Sequence, residues 1–161
     1  VAVAPAVFRH VLGHLAGGVT VVTTRDDAGR HHGLTATAVC SVSLDPPLVL
    51  ASLEREANTH GIIERSGVFA LNFLADTERE VAVRFATTPD DKFQDLAVTT
   101  AHTGSPLLQG AVAWCDCVVV KSVEAGDHTV FIGRVEAAEV RRPEEPRPLV
   151  HYAGRWATLC D

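Results

Sequence analysis

The sequence predicts a mainly β protein with short helices, its strands joined as hairpins into a closed or nearly closed antiparallel barrel. Three observations carry that reading. Runs of β-branched residues recur, as at Val118-Val119-Val120, and favour strands. They arrive in pairs separated by turn clusters instead of alternating with helices, which argues against a doubly wound sheet. With 6% aromatic residues and no Met, the core has to be built from Val, Ala and Leu. The chain of 161 residues is 47% hydrophobic, enough for one sizeable core, so residues 1–161 are expected as a single domain.

The elements follow in order. Residues 6–15 carry Val7, Val11, Leu12 and Leu15 at helical spacing, a short amphipathic helix ended by Gly17-Gly18. Residues 19–24 are almost entirely β-branched, and Asp26-Asp27-Ala28-Gly29 is a turn cluster before the next run begins at Gly33, which makes a hairpin. Residues 34–42, rich in Thr, Ala and Ser, read as one strand whose backbone lies close to something else. Asp45-Pro46-Pro47 forces a break before a strand at 48–53. Asn58 is placed to cap a brief helix through Arg65 that Gly67 stops, and residues 68–74 form a further strand. Thr77 with Glu80 has capping-box spacing, and Val81, Ala82 and Phe85 supply the apolar face of a helix to about Ala86. Residues 87–110 are polar and turn-rich, with one helical turn at Asp90-Asp91-Lys92-Phe93; so long a loop in a compact domain is functional or hides further elements. Two long strands, 111–124 and 129–140, flank the turn Ala125-Gly126-Asp127-His128, and a short strand pair surrounds Gly154.

Several functions are excluded. Lys and Arg number 14 against 20 Asp and Glu, a formal charge of −6. Binding to nucleic acid or an anionic membrane needs clustered basic residues, and none cluster in sequence, so neither partner is expected. Residues 1–12 are apolar but short, lack a basic n-region and are interrupted by Arg9 and His10; neither a signal peptide nor a membrane span is expected, and the cytoplasm is the expected compartment. The four cysteines, Cys40, Cys115, Cys117 and Cys160, contain no C-x2-C pair. Cys115 and Cys117 share one face of a strand, where they pack as small hydrophobes. Among eight histidines, His10 and His14 lie one helical turn apart, but no third ligand is identifiable and no metal site is expected. No G-x-G-x-x-G, P-loop or G-x-S-x-G motif is present.

The positive signal is the run Gly33-Leu34-Thr35-Ala36-Thr37-Ala38-Val39-Cys40-Ser41-Val42-Ser43-Leu44-Asp45-Pro46-Pro47-Leu48-Val49. Its small residues would let a planar ligand reach strand backbone, and N–H groups and hydroxyls in the turn could hold an anion. A Thr/Ser-rich edge strand followed by a proline turn is the plainer alternative, and composition alone favours it.

Five segments in order, spanning nearly the whole chain, resemble the short-chain flavin reductase family, the reductase components of two-component flavin-dependent monooxygenases. They are the 33–49 run, Gly18-Val19-Thr20-Val21-Val22-Thr23-Thr24, Asp91-Lys92-Phe93, residues 126–135 beginning Gly126-Asp127-His128, and residues 148–156 containing His151-Tyr152-Ala153-Gly154-Arg155. The resemblance implies an antiparallel split β-barrel, usually a homodimer with sites near the interface, that uses NADH or NADPH to reduce FMN or FAD. It implies that Thr35, Ala36, Thr37 and Ala38 line the isoalloxazine edge through backbone groups and that Ser41, Val42 and Ser43 continue that wall. Ser52 and Glu56, Ala57, Asn58 and Thr59 correspond to the phosphate-side turn. Phe85, Ala86, Lys92 and Phe93 would close the site, with Lys92 as a cation near the flavin phosphate or ring. Ala57 stands where family members often carry Ser or Thr, which leaves more of the phosphate contact to backbone.

Hydride transfer needs positioning more than acid–base chemistry, so no catalytic dyad is required. His128 is the residue expected at the nicotinamide, with Tyr152 and Arg155 as weaker candidates for orienting the dinucleotide. A turn histidine, a surface aromatic and a snorkelling arginine are the structural alternatives for the three. The chain is therefore expected to be an NAD(P)H:flavin oxidoreductase that releases reduced flavin to a partner monooxygenase. A non-enzymatic flavin- or haem-binding carrier or sensor, and a pyridoxal-phosphate-type or deazaflavin oxidase, are alternatives on the same fold.

Overall fold

The computed structural model describes residues 2–87, 91–141 and 147–159. Helix α1 (Pro5–Leu12) starts on a proline, whose missing N–H has no helical partner to lose. It ends three residues earlier than its apolar spacing suggests, at Gly13, and Gly17-Gly18 form strand β1 (Gly17–Gly18), paired with His151 and Val150. Strands β2 (Thr20–Arg25) and β3 (His31–Ala36) make the expected hairpin, its turn held by the Asp26 carboxylate, which accepts from the N–H groups of Ala28 and Arg30.

The single strand expected at 34–42 is two. After β3 the chain leaves the ladder at Thr37-Ala38 and re-enters as β4 (Val39–Ser43), which pairs with β5 (Leu48–Glu54). Helix α2 (Asn58–Ser66) follows, capped by Ala57 and not by the Asn58 side chain, and Gly67 ends it in the left-handed conformation at φ 67°. After β6 (Val68–Phe73), a 3-10 turn (Asp76–Glu78) without a side-chain cap leads into α3 (Arg79–Thr87), so the Thr77–Glu80 capping box does not form. The long loop contains a small ribbon, β7 (Val98–Thr99) with β8 (Leu107–Leu108). Asp91 to Asp95 form a turn, while Asp90 lies outside the described residues. Strands β9 (Ala113–Ala125) and β10 (His128–Val140) are the two long ones expected, and β11 (Val150–Tyr152) and β12 (Arg155–Ala157) are the tail pair.

Seven strands form one antiparallel sheet in the order β3-β2-β6-β9-β10-β5-β4. Laid flat, such a sheet would be roughly 29 Å wide. Yet its two edge strands, β3 and β4, are joined through Thr37 and Ala38 alone, a span of at most about 11 Å. The sheet has to roll into a barrel, split where β3 and β4 fail to pair, as the resemblance implied.

Period-two alternation sorts the apolar residues into two layers. Val22, Leu53, Phe69, Leu71, Cys117 and Phe131 fill the barrel, with Ile63 of α2 among them. Val21, Leu74, Ala82, Phe85 and Leu149 pack between β2 and α3. Cys117 is fully buried and Cys115 partly so, burial raising both thiols, as expected of packing cysteines. Gly133 on β10 is where the Phe69 ring crosses the strand: a Cβ there would lie 2.5 Å from Phe69 Cζ and 2.9 Å from Cys117 Cβ.

Candidate functional site

β3 pairs with β2 alone, so one row of its backbone groups has no partner strand, as on any sheet edge. β3 and β5 meet only beyond its end, where the Ser52 N–H donates to the Ala38 carbonyl at 2.9 Å. Along the rest of β3 the barrel is open, and the split widens into a cleft of about 1350 Å³. One lip is β3 with the hairpin residues Arg30, His31 and His32, backed by the end of α3 and by Lys92-Phe93. The other is the end of β5, the start of α2, and His128.

The first lip is built by aromatic packing on a bare strand. A Cβ on Gly33 would stand 2.8 Å from Phe85 Cε1 and 3.0 Å from the Val22 carbonyl, so only glycine lets that ring lie on β3. Phe93 meets Phe85 edge to face, with ring centroids 4.9 Å apart, and His31 meets Phe93 at 5.4 Å. Lys92 fastens this cluster: its Nζ donates to the Gly33 and Phe85 carbonyls, each at 3.1 Å, and partial burial pulls its pKa below the ordinary lysine value. The Thr35 hydroxyl donates to the Ala82 carbonyl at 2.6 Å, which leaves Thr35 its backbone for a ligand. At the rim, Asp26 accepts from the Arg30 backbone and side chain and contacts His32 Nε2, and those bonds hold its carboxyl well below the usual carboxylate range.

The second lip offers backbone donors. Ala57, which caps α2, has no side-chain oxygen, so the first N–H groups of a nine-residue helix reach the cleft beside Asn58 and Thr59 without a side-chain acceptor. That arrangement suits an anion. His128, 41% exposed, sits where the β9–β10 turn returns into β10, opposite Glu54 of β5. Its Nδ1 donates to the Asp127 carboxylate at 2.7 Å, lowering the Asp127 pKa. Behind it, the buried His60 ring is hydrogen-bonded to Thr129 at 2.8 Å and tilted against Phe131, tying α2 to β10.

The cleft thus brings together Thr35, Ala36, Thr37 and Ala38, then Ser52, Ala57, Asn58 and Thr59, then Phe85, Ala86, Lys92, Phe93 and His128. Ser41, Val42 and Ser43 lie on the outer edge strand β4, Glu56 is exposed in the β5–α2 turn, and Tyr152 and Arg155 belong to the separate β1-β11-β12 sheet; none of these lines the cleft. Sequence reasoning missed Arg30, His31 and His32. Strand alternation was the available signal, because it sets His31 on the same face as Gly33 and Thr35. Among the described residues no cluster of His, Cys, Asp and Glu could hold a metal ion, and no helix is long and apolar enough to cross a membrane.

A split antiparallel barrel whose cleft offers free strand backbone, an uncapped helix start and aromatic walls defines a small barrel built for a planar, phosphorylated ligand. The family profile described as flavin reductase like domain matches residues 12–159, and the chain belongs to that family. It is 39% identical over 159 residues to the reductase subunit HsaB of a flavin-dependent monooxygenase from Rhodococcus jostii, covering 98% of this chain and 80% of that one. It is 40% identical over 159 residues to an NADH-dependent flavin reductase from a Rhodococcus species, covering 98% and 88%. Among solved structures, an NADH:FAD oxidoreductase of Streptomyces globisporus in complex with NAD and FAD fragments superposes with a TM-score of 0.89 at 32% identity, over 99% of this chain and 97% of that one.

Proposed function

We propose that this protein is an NAD(P)H:flavin oxidoreductase that reduces FAD or FMN and gives up the reduced flavin to a flavin-dependent monooxygenase. The observation that carries the reading is the single cleft in which the β3 edge, the start of α2 and His128 converge. The residues fit a flavin: beyond Gly33 the β3 edge at Thr35 and Ala36 faces no partner strand, and the α2 start, without a side-chain cap, offers donors to a phosphate. When bound, flavin accepts a hydride from the nicotinamide.

The protein's own part is positioning. Backbone groups of Thr35, Ala36, Thr37 and Ala38 hold the ring edge, and donors there favour the negative charge that reduction places on it. Ser52, Asn58 and Thr59 take the phosphate, and Phe85, Ala86 and Phe93 close the ring side. Lys92, already bonded to two carbonyls, keeps one N–H for the ligand. His128, oriented by Asp127, meets the nicotinamide. A carrier or sensor would have no use for an exposed, oriented imidazole beside the ring.

The chain works as a homodimer in this reading. No residue of α1 is buried, and Val7, Phe8 and Val11 are each more than half exposed, an apolar face that a second copy would cover. Ser41, Val42, Ser43, Glu56, Tyr152 and Arg155 would then contact ligand only by reaching the cleft of the other copy. The compartment is the cytoplasm, where nicotinamide cofactors and reduced thiols such as Cys40 belong. The test is NADH or NADPH consumption by the purified protein with FAD or FMN added. Flavin-dependent consumption is expected; its absence in all four combinations contradicts the reading.

A further inference from the structure

The cleft is larger than the roughly 300–1,000 Å³ of an ordinary small-molecule site, and the hairpin lip extends past the segment assigned to the flavin ring. His31 stands five residues before Ala36, roughly 17 Å along β3. This outer stretch is built unlike the rest. Its surface is a ladder of flat rings: Phe85 against Phe93 at 4.9 Å, then Phe93 against His31 at 5.4 Å, with His31 the last, half-buried rung lining the cleft. Burial and the neighbouring His32 lower the His31 pKa, so its ring is uncharged at neutral pH and offers an aromatic face.

The residue before it supplies a cation to the same cleft. Arg30 is held through Nε by the Asp26 carboxylate at 2.7 Å, its side chain is 77% exposed, and its terminal nitrogens make no hydrogen bond among the described residues. Asp26 also bonds the backbone of the turn, so ring and guanidinium are presented by a braced hairpin. A flat neutral heteroaromatic ring and a free guanidinium fork lining one cleft can receive a purine base and the phosphate joined to it, since bases stack on such rings and the fork matches phosphate oxygens.

We propose that His31, with Arg30, forms a subsite for the adenosine half of a dinucleotide, in the same cleft as the flavin ring; this rests on the flavin reductase reading above. Adenosine occurs both in FAD and in NADH, and the experiment separates the two sources. Equilibrium titrations of FAD, FMN and NADH are made on the wild-type chain, His31→Ala and His31→Phe, with AMP as competitor and a thermal melt of each variant.

For FAD as the source, His31→Ala is expected to weaken FAD about tenfold and leave FMN within twofold, the loss of one base-stacking contact. For NADH as the source, NADH weakens by that factor and both flavins are unmoved. In either case AMP competes against the wild type and His31→Phe restores binding. Equal weakening of FAD and FMN, or no change in any of the three ligands, overturns the proposal. Failure of the underlying reading looks different: the wild-type chain itself would bind no flavin.

Discussion

The two lips of the cleft are built from different materials. The α2 lip works through backbone: Ala57 holds the N-cap position without a side-chain acceptor, and Ser52 N–H is already spent on the seam of the barrel. The hairpin lip works through side chains packed on a bare strand, Phe85 against Gly33, Phe93 edge to face with Phe85 and His31 with Phe93, with Lys92 pinning the assembly to two carbonyls. Backbone donors are fixed by the helix and survive side-chain changes. A wall of side chains changes with the rings that compose it, so substitutions should separate the two lips sharply.

The largest effect is expected where the wall meets the barrel. Gly33→Val puts a branched side chain where even a Cβ lies 2.8 Å from Phe85 and 3.0 Å from backbone. Overpacking of that kind costs about 1–3 kcal/mol, so a thermal melt should show Tm lowered by roughly 3–10 °C, and flavin affinity should fall with the displaced ring. An unchanged Tm would mean that Phe85 moves aside freely. Next comes His128→Ala on the other lip. The rate of flavin reduction by NADH should fall by about tenfold or more while the flavin Kd stays within twofold, since the helix start is untouched. Equal loss of rate and flavin affinity would remove His128 from the nicotinamide.

Lys92→Met should be intermediate. It deletes two charge-assisted bonds of the kind worth about 1.5–3 kcal/mol, discounted because the side chain is only partly buried, so flavin binding measured by fluorescence should weaken by about tenfold. Lys92→Arg should recover part of it. The smallest effect is the acid limb of Asp26. Its carboxyl is held below the usual range, so the unfolded chain takes up the proton first as pH falls. The stabilisation is complete above about pH 4 and is lost on further acidification. Asp26→Asn should flatten that part of the pH–Tm curve and lower Tm modestly at neutral pH, where the wild type has the full stabilisation.

How far these features were legible in sequence follows from local chemistry. β9 and β10 announced themselves because β-branched runs flank a Gly-Asp turn. The break at Thr37-Ala38 did not: it carries neither Gly nor Pro, and what ends the strand there is the seam with Ser52, a contact 14 residues away along the chain. The β7–β8 ribbon, two residues a strand, is too short for any period to show. Asn58 looked like a cap because its type favours that position, yet the backbone turns into the helix one residue sooner, at Ala57. In the cleft, residues belonging to one continuous motif were legible together, while the hairpin rim that lines it from a neighbouring turn was not.

Hydrogen–deuterium exchange with and without FAD tests the shared cleft most directly, because it reports location without relying on turnover. Protection by FAD is expected across residues 31–38, 52–59 and 85–87, at 91–94, and at the start of β10 around His128. Protection confined to α1 and the β11–β12 tail, with both lips unchanged, would contradict the account.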